Sequence, residues 1–296
     1  MFRIICMIAA ICLHQNIKAQ DFTYFNKTYG GNDTINMLAQ AVQPIEDGYL
    51  VLGGYSDINN EHVLYVEKID NSGEVIWLKG FEYGNTQDLG IIGAGGQVLK
   101  DSDCLLVTYH YLLDASLTKL NFQGDTIFKK TFPRIGMQYP TGIIKSRDGG
   151  YLISGAESNT TADTVSAYVL KIDSLGNKEW DRSYTYGNDT RFYSAQQYYD
   201  NTYIFGASTY TTATKYDMFV VKTQANGDTI WTKRFGGVHS DCGCIVKQKT
   251  TYDQYLAGLP PVYLLAGCHA SNSIDSYMYI AELNEHGDIN WKKKIF

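Results

Sequence analysis

The chain has 296 residues, a formal net charge of -6 and 19% charged residues. That mild acidity, with lysines dispersed along the chain, excludes the basic patch that nucleic-acid or anionic-membrane binding needs. A hydrophobic content of 44% excludes a chain that is disordered throughout.

The first feature in chain order reads as a secretory signal. Arg3 supplies a positive start, and Ile4 to Leu13 is an apolar run too short to span a bilayer. Cys12 follows Ile11, where lipid attachment wants a small residue, so cleavage is expected near Gln20 instead. The expected organisation is residues 1–20 as a signal peptide and 21–296 as a single domain. No later stretch is long and apolar enough for a transmembrane helix.

The next segment, FTYFNKTYGG, matches only the end of a unit repeated downstream, with Phe25, Lys27 and Tyr29 in its aromatic, basic and second aromatic slots. It is an orphan outer strand. The full unit then unfolds as alternating runs: Gly48 to Ser56, Leu64 to Asp70, a turn at Gly73, and the run EVIWLKGF. Polar loops separate these from a less regular strand such as Arg191 to Tyr199. Short alternating runs bounded by Gly, Asn, Asp and Ser predict strands, and no long capped helical pattern competes.

The unit recurs about every fifty residues. Its turn glycines are Gly73, Gly124, Gly176, Gly227 and Gly287, placed to supply positive φ in a tight hairpin. Four residues after each glycine comes Trp77, Phe128, Trp180, Trp231 or Trp291, and two residues later Lys79, Lys130, Arg182, Lys233 or Lys293. The strand before the turn carries Lys68, Lys119, Lys171 or Lys222, but Glu282 in the last copy. Four antiparallel strands per period predict an all-β fold. The expected architecture is a β-propeller of about five four-stranded blades plus the orphan strand, its ring either closed by five blades or lacking part of a sixth. The aromatic slot could stack a sugar or base. The exchange of Trp for Phe128 favours blade-on-blade packing.

Residues 22–296 resemble the propeller repeats of secreted Bacteroidota proteins. The likeness rests on Gly149-Gly150-Tyr151, Lys171, Asp173, Gly176, Trp180 and Arg182, and again on Lys222, Gly227, Asp228, Trp231, Lys233, Phe235 and Gly236-Gly237. A more distant likeness is to quinoprotein propellers, through the outer-strand Trp. The resemblance implies a propeller exported to the cell surface, the periplasm or the medium. Propellers host many unrelated activities, so it implies little about function.

Chemistry-bearing residues are sparse. The loops 30–34, 83–88 and 186–190 are rich in Asn, Asp and Thr, which suits calcium or, more simply, Asx turns. His239, Cys242, Cys244, Cys268 and His269 fall in adjacent strands of the last unit, where zinc is one reading. Free thiols are a second reading, and export favours a third, a disulfide from Cys268 to Cys242 or Cys244, the latter two sharing one face by strand alternation. His62, His110 and His286 are isolated, and no nucleophile elbow, zinc-protease helix or phosphate loop occurs. The expected function is an exported, non-enzymatic binding or scaffold module without cofactor. It would recognise an unknown protein or glycan through the loops that join each outer strand to the next inner strand. The alternative is a hydrolase or quinoprotein-like oxidoreductase with its site at the channel mouth.

Overall fold

The computed structural model describes residues 36–56, 62–82, 97–101, 104–111, 114–159, 161, 163–237, 239–270 and 276–295. The signal segment 1–20, the orphan strand around Phe25 and the loops 30–34 and 83–88 lie outside the described residues. Among the described residues are twenty strands and one short helix.

The strands fall into five consecutive groups of four. The first is β1 (Asn36–Ile45), β2 (Gly48–Ser56), β3 (His62–Asp70) and β4 (Val75–Glu82). The second is β5 (Gln97–Asp101), β6 (Cys104–Tyr111), β7 (Asp114–Asn121) and β8 (Thr126–Phe132). The third is β9 (Met137–Lys145), β10 (Tyr151–Ser158), β11 (Val165–Ile172) and β12 (Lys178–Tyr184). The fourth is β13 (Asp189–Gln197), β14 (Tyr203–Thr211), β15 (Lys215–Thr223) and β16 (Thr229–Phe235). The fifth is β17 (Asp241–Gln248), β18 (Tyr263–Ala270), β19 (Ser276–Leu283) and β20 (Ile289–Ile295). Within each group every strand pairs antiparallel with its sequence neighbours, and the third and fourth groups touch through Val165 and Asp189.

The turn between the last two strands of each group is built the same way. Gly73, Gly124, Gly176, Gly227 and Gly287 have φ of 81°, 86°, 77°, 86° and 79°. Asp70, Asn121, Asp173 and Asn284 each accept two backbone N–H bonds across their turn through one side-chain oxygen. This is why the repeat wants Asp or Asn three residues before the glycine. A register shift follows at Lys68/Ile69, Lys119/Leu120, Lys171/Ile172, Lys222/Thr223 and Glu282/Leu283. The bulge sets the residue before the aromatic slot outward, so Ile76, Ile127 and Ile230 are exposed.

The core lies between groups. One apolar cluster joins Leu50, Leu52 and Val66 to Leu120, another joins Leu117 and Phe132 to Ile153 and Tyr168. A third joins Leu152 and Val169 to Phe205 and Val221, and a fourth joins Ile204 and Val220 to Val246 and Leu265. Each cluster therefore joins one group to the next, which couples the groups in chain order.

Candidate functional site

The aromatic slot builds the junctions. Trp77 packs on the turn of the next group, its ring 3.2 Å from where a Cβ on Gly124 would stand, and its Nε1 donates to Phe122 O at 2.9 Å. Phe128 meets Gly176, Trp180 meets Gly227 and Trp231 meets Gly287 in the same way, at 3.1, 2.9 and 2.8 Å. The basic slot reaches the residue after the same glycine: Lys130 to Asn177 at 2.8 Å, Arg182 to Asp228 at 3.8 Å and Lys233 to Asp288 at 2.7 Å. Trp180 and Trp231 also sit edge-on to Tyr203 and Tyr263, the tyrosines of the next group's second strand. Glycine is thus needed twice over, for its φ and for the close approach of a ring. Trp291 differs. It is 44% exposed, and among the described residues no following turn covers it.

The repeat breaks in the fifth group, and both breaks meet in one place. In the first and third groups the Lys slot pairs with an acid from the first hairpin, Lys68 with Asp47 at 2.7 Å and Lys171 with Asp148 at 2.9 Å, and Lys171 also reaches Glu179 of β12 at 2.8 Å. In the fifth group the charges are exchanged, so that Glu282 pairs with Lys249 at 2.5 Å and accepts from Asn290 at 3.2 Å. Those donors hold the Glu282 carboxyl below the usual carboxylate range. The second break is the connection from β17 to β18, residues 249–262, where the first group needs only residues 46 and 47. It carries helix α1 (Tyr252–Leu256), opened by a capping box in which Thr251 Oγ1 accepts from Gln254 N and Gln254 Oε1 accepts from Thr251 N.

None of the α1 side chains is buried in the core. Tyr252 packs on Tyr199 with ring centroids 5.1 Å apart, and Tyr255 lies 5.4 Å from Tyr199 and 5.5 Å from Tyr198. Arg147 covers Tyr199 with its guanidinium 5.4 Å from the ring centre. Tyr252 is 49% exposed and forms the open wall of this cluster. Nearby lies a cavity of about 310 Å³ lined by Lys249, Thr250, Gln254, Leu259, Pro260, Val262 and Glu282. It combines a charged pair, an amide and a hydroxyl with an apolar side.

A second cluster lies at the opposite end of the strands. Asp217 and Asp241 are 1% and 0% exposed, and both aim at Gly236: an added Cβ there would lie 1.7 Å from Asp217 Oδ1 and 2.6 Å from Asp241 Oδ2. Arg234 approaches Asp217 at 3.4 Å, and Gly237 N donates to Asp241 at 3.1 Å. Paired carboxylates are the groups of acid–base hydrolysis. Burial closes these two to a substrate.

The cysteines are placed by a bulge between Cys242 and Ile245. It breaks the two-residue alternation on which the expected shared face of Cys242 and Cys244 rested. Cys244 is buried with Val246 and Leu265 against β14 and β15, whereas Ile245, opposite Ala266, is exposed. Cys268 is exposed with a free thiol, so Cys244 and Cys268 lie on different faces. Cys242 stands directly opposite Cys268 in the register. Among the described residues no three His, Cys, Asp or Glu converge as metal ligands. In the loop 186–190, Thr190 Oγ1 accepts from Tyr186 N and Asp189 is taken up by both ends of the Arg191 guanidinium, which is turn chemistry.

The sequence placed the ligand face on the connections from outer to next inner strand. The described ones, 133–136, 185–188 and 236–240, are short. The tyrosine cluster and the cavity stand at the other end of the strands. Glu282 was legible as an exception to the repeat. Lys249 and the α1 insertion were missed, although the length of the β17–β18 connection and the Thr251 to Gln254 spacing were there to be read.

No family model matches the chain, and neither does any curated protein. Among solved structures it is similar to a subtype N10 neuraminidase-like protein of A/little yellow-shouldered bat/Guatemala/060/2010, with a TM-score of 0.52 and 8% identity over 88% of this chain and 83% of that one. It is also similar to an endo-arabinase from Bacteroides thetaiotaomicron, with a TM-score of 0.42 and 11% identity over 81% and 91% of the two chains. The fold is a β-propeller. At these identities the likeness shows the fold alone. Among the described residues no helix is long and apolar enough to cross a membrane.

Proposed function

We propose that the chain is an exported, non-enzymatic binding module, and that its ligand is a glycan held at the fifth-group insertion. One observation carries this reading: the exposed ring of Tyr252, backed by Tyr199 and Tyr255, stands in the same insertion as a cavity whose Lys249, Glu282, Gln254 and Thr250 offer donors and acceptors. A sugar presents an apolar C–H face to an aromatic ring and hydroxyls to such polar groups. The cavity is at the small end of ligand sites, which start at about 300 Å³. Tyrosine is suited to the wall because it offers a large contact area at low conformational cost.

Calorimetric titration against a panel of oligosaccharides, preceded by a glycan array, tests the reading. Binding by the intact chain that falls at least about tenfold in Tyr252→Ala and in Glu282→Gln is the expected result. Binding unaffected by both substitutions, or no binding to any glycan, would sink it. Export itself is tested by N-terminal sequencing of the protein recovered outside the cytoplasm, with a start near Asp21 expected.

A hydrolase is the second reading, favoured by the convergence of Asp217 and Asp241 on Gly236. Their burial weighs against it. Turnover of a chromogenic glycoside by the intact chain, abolished in Asp217→Asn, would restore it.

A further inference from the structure

The four junctions define what an outer strand of this protein binds. Each aromatic ring receives a turn glycine of positive φ, and three of the four basic slots receive the Asn or Asp that follows it. β20 carries the same set, Trp291 and Lys293, in the same spacing. Yet β20 is exposed along its whole length, with Trp291 at 44%, Ile289 at 40% and Ile295 at 41%, and Met278 beside it at 52%. In the chain's other outer strands the Trp or Phe is packed into an inter-group cluster. Lys293 has no carboxylate within ion-pair distance among the described residues, while Lys294 is turned over the Tyr277 ring at 4.3 Å.

We propose that the β20 face is a docking site for the glycine turn of a β-hairpin on a separate polypeptide, of the form Asp/Asn/Gln-x-x-Gly-Asp/Asn. The internal junctions argue for this occupant. A turn with any Cβ at the glycine position would stand about 3 Å from the indole, too close for a carbon contact. The residue after the glycine must carry an acceptor, because Lys293 occupies the position from which Lys233 holds Asp288 and Lys130 holds Asn177. A second copy of this chain is the poorer occupant, since all five of its own turn glycines are already buried.

The test uses the full chain and a backbone-cyclised, tryptophan-free peptide carrying residues 221–230, VKTQANGDTI, with its turn verified by NMR. Tryptophan emission should shift to the blue and saturate as the peptide is added. The shift should vanish in Trp291→Ala and with the peptide bearing Gly227→Ala. Lys293→Glu should weaken binding about fivefold, and a peptide bearing Asp228→Lys should restore it. No saturable shift, a shift that survives Trp291→Ala, or a charge exchange without rescue would overturn the proposal. Sedimentation of the chain alone supplies the remaining arm. A concentration-dependent dimer lost in Trp291→Ala would overturn it in favour of a second copy.

Discussion

Two glycines with the same backbone conformation separate the two duties of the repeat glycine. Gly149 has φ of 88° with nothing within 4 Å of an added Cβ, whereas at Gly227 (φ 86°) the Cβ would meet Trp180 and the Arg182 stem at 2.9 Å. Gly149→Ala should therefore cost about 1 kcal/mol, the penalty of left-handed backbone alone. Gly227→Ala adds overpacking and should cost about 2–4 kcal/mol in denaturant unfolding. Equal losses would show that the ring contact is easily relieved. The thiols divide as sharply. Burial pushes Cys244 up to about 12, against bonds from the Ala207 and Phe219 backbone. In reduced, folded protein at pH 8, Cys268 should alkylate and Cys244 should not until denaturant is added. Oxidation should link Cys268 to Cys242, because directly opposed strand residues have Cα atoms about 4.5–5.5 Å apart, within disulfide range. Mass spectrometry of the non-reduced digest decides it, and a Cys244–Cys268 peptide would contradict the face assignment.

Third strands of the groups differ in how they support a buried lysine. Desolvation opposes the charge on Lys171, but hydrogen bonds to Glu179 and Asp148 outweigh it and raise its pKa. Desolvation likewise opposes the Asp148 carboxylate, and the bonds from Lys171 and the Gly150 N–H win, holding it low. The Asp148 contribution is present above its unfolded value of about 3.9 and lost as pH falls through the lower folded one. That of Lys171 is present below about 10.4 and lost as pH rises through its raised folded value. Lys222 occupies the same slot beside the Tyr263 ring, and burial lowers its pKa against the weaker opposing pull of the Asp200 and Glu285 carboxylates. There the unfolded chain binds the proton more tightly, so Lys222 subtracts stability at neutral pH, a deficit that closes as pH rises toward about 10.4. Lys222→Met should be neutral or stabilising at pH 7, while Lys171→Met should stay within about 1 kcal/mol and flatten the acid limb. Thermal unfolding from pH 3 to 10 reads both, and a marked destabilisation in Lys222→Met would show that its amine has a favourable role.

Across the whole molecule, stability passes from one group to the next through the aromatic slot, so the same residue has different weight at different places. Trp231 is held by Gly287, Tyr263 and a bond from its Nε1 to Glu285 O. Trp291, in the identical slot, is 44% exposed. Trp231→Ala should cost about 3–5 kcal/mol and Trp291→Ala less than about 1 kcal/mol in the isolated chain. Similar losses would mean that the β20 face is covered in solution.

Strand order, turn positions and the packing role of four aromatic slots were legible in the sequence because they rest on repeated local rules: alternation and positive φ at glycine in all five groups, and side-chain capping by Asp or Asn in four of them. The pairing of each ring with a glycine 47 or more residues later was not, since nothing local joins Trp77 to Gly124 or Trp231 to Gly287. Nor was the fate of Cys244, which a single bulged residue moved to the other face. Lys249 became the partner of Glu282 only when β17 and β19 were brought to the same end of one sheet. Sequence periodicity specifies what each unit is. Which side chains meet across units depends on how the faces stack, and only the tertiary structure decided that.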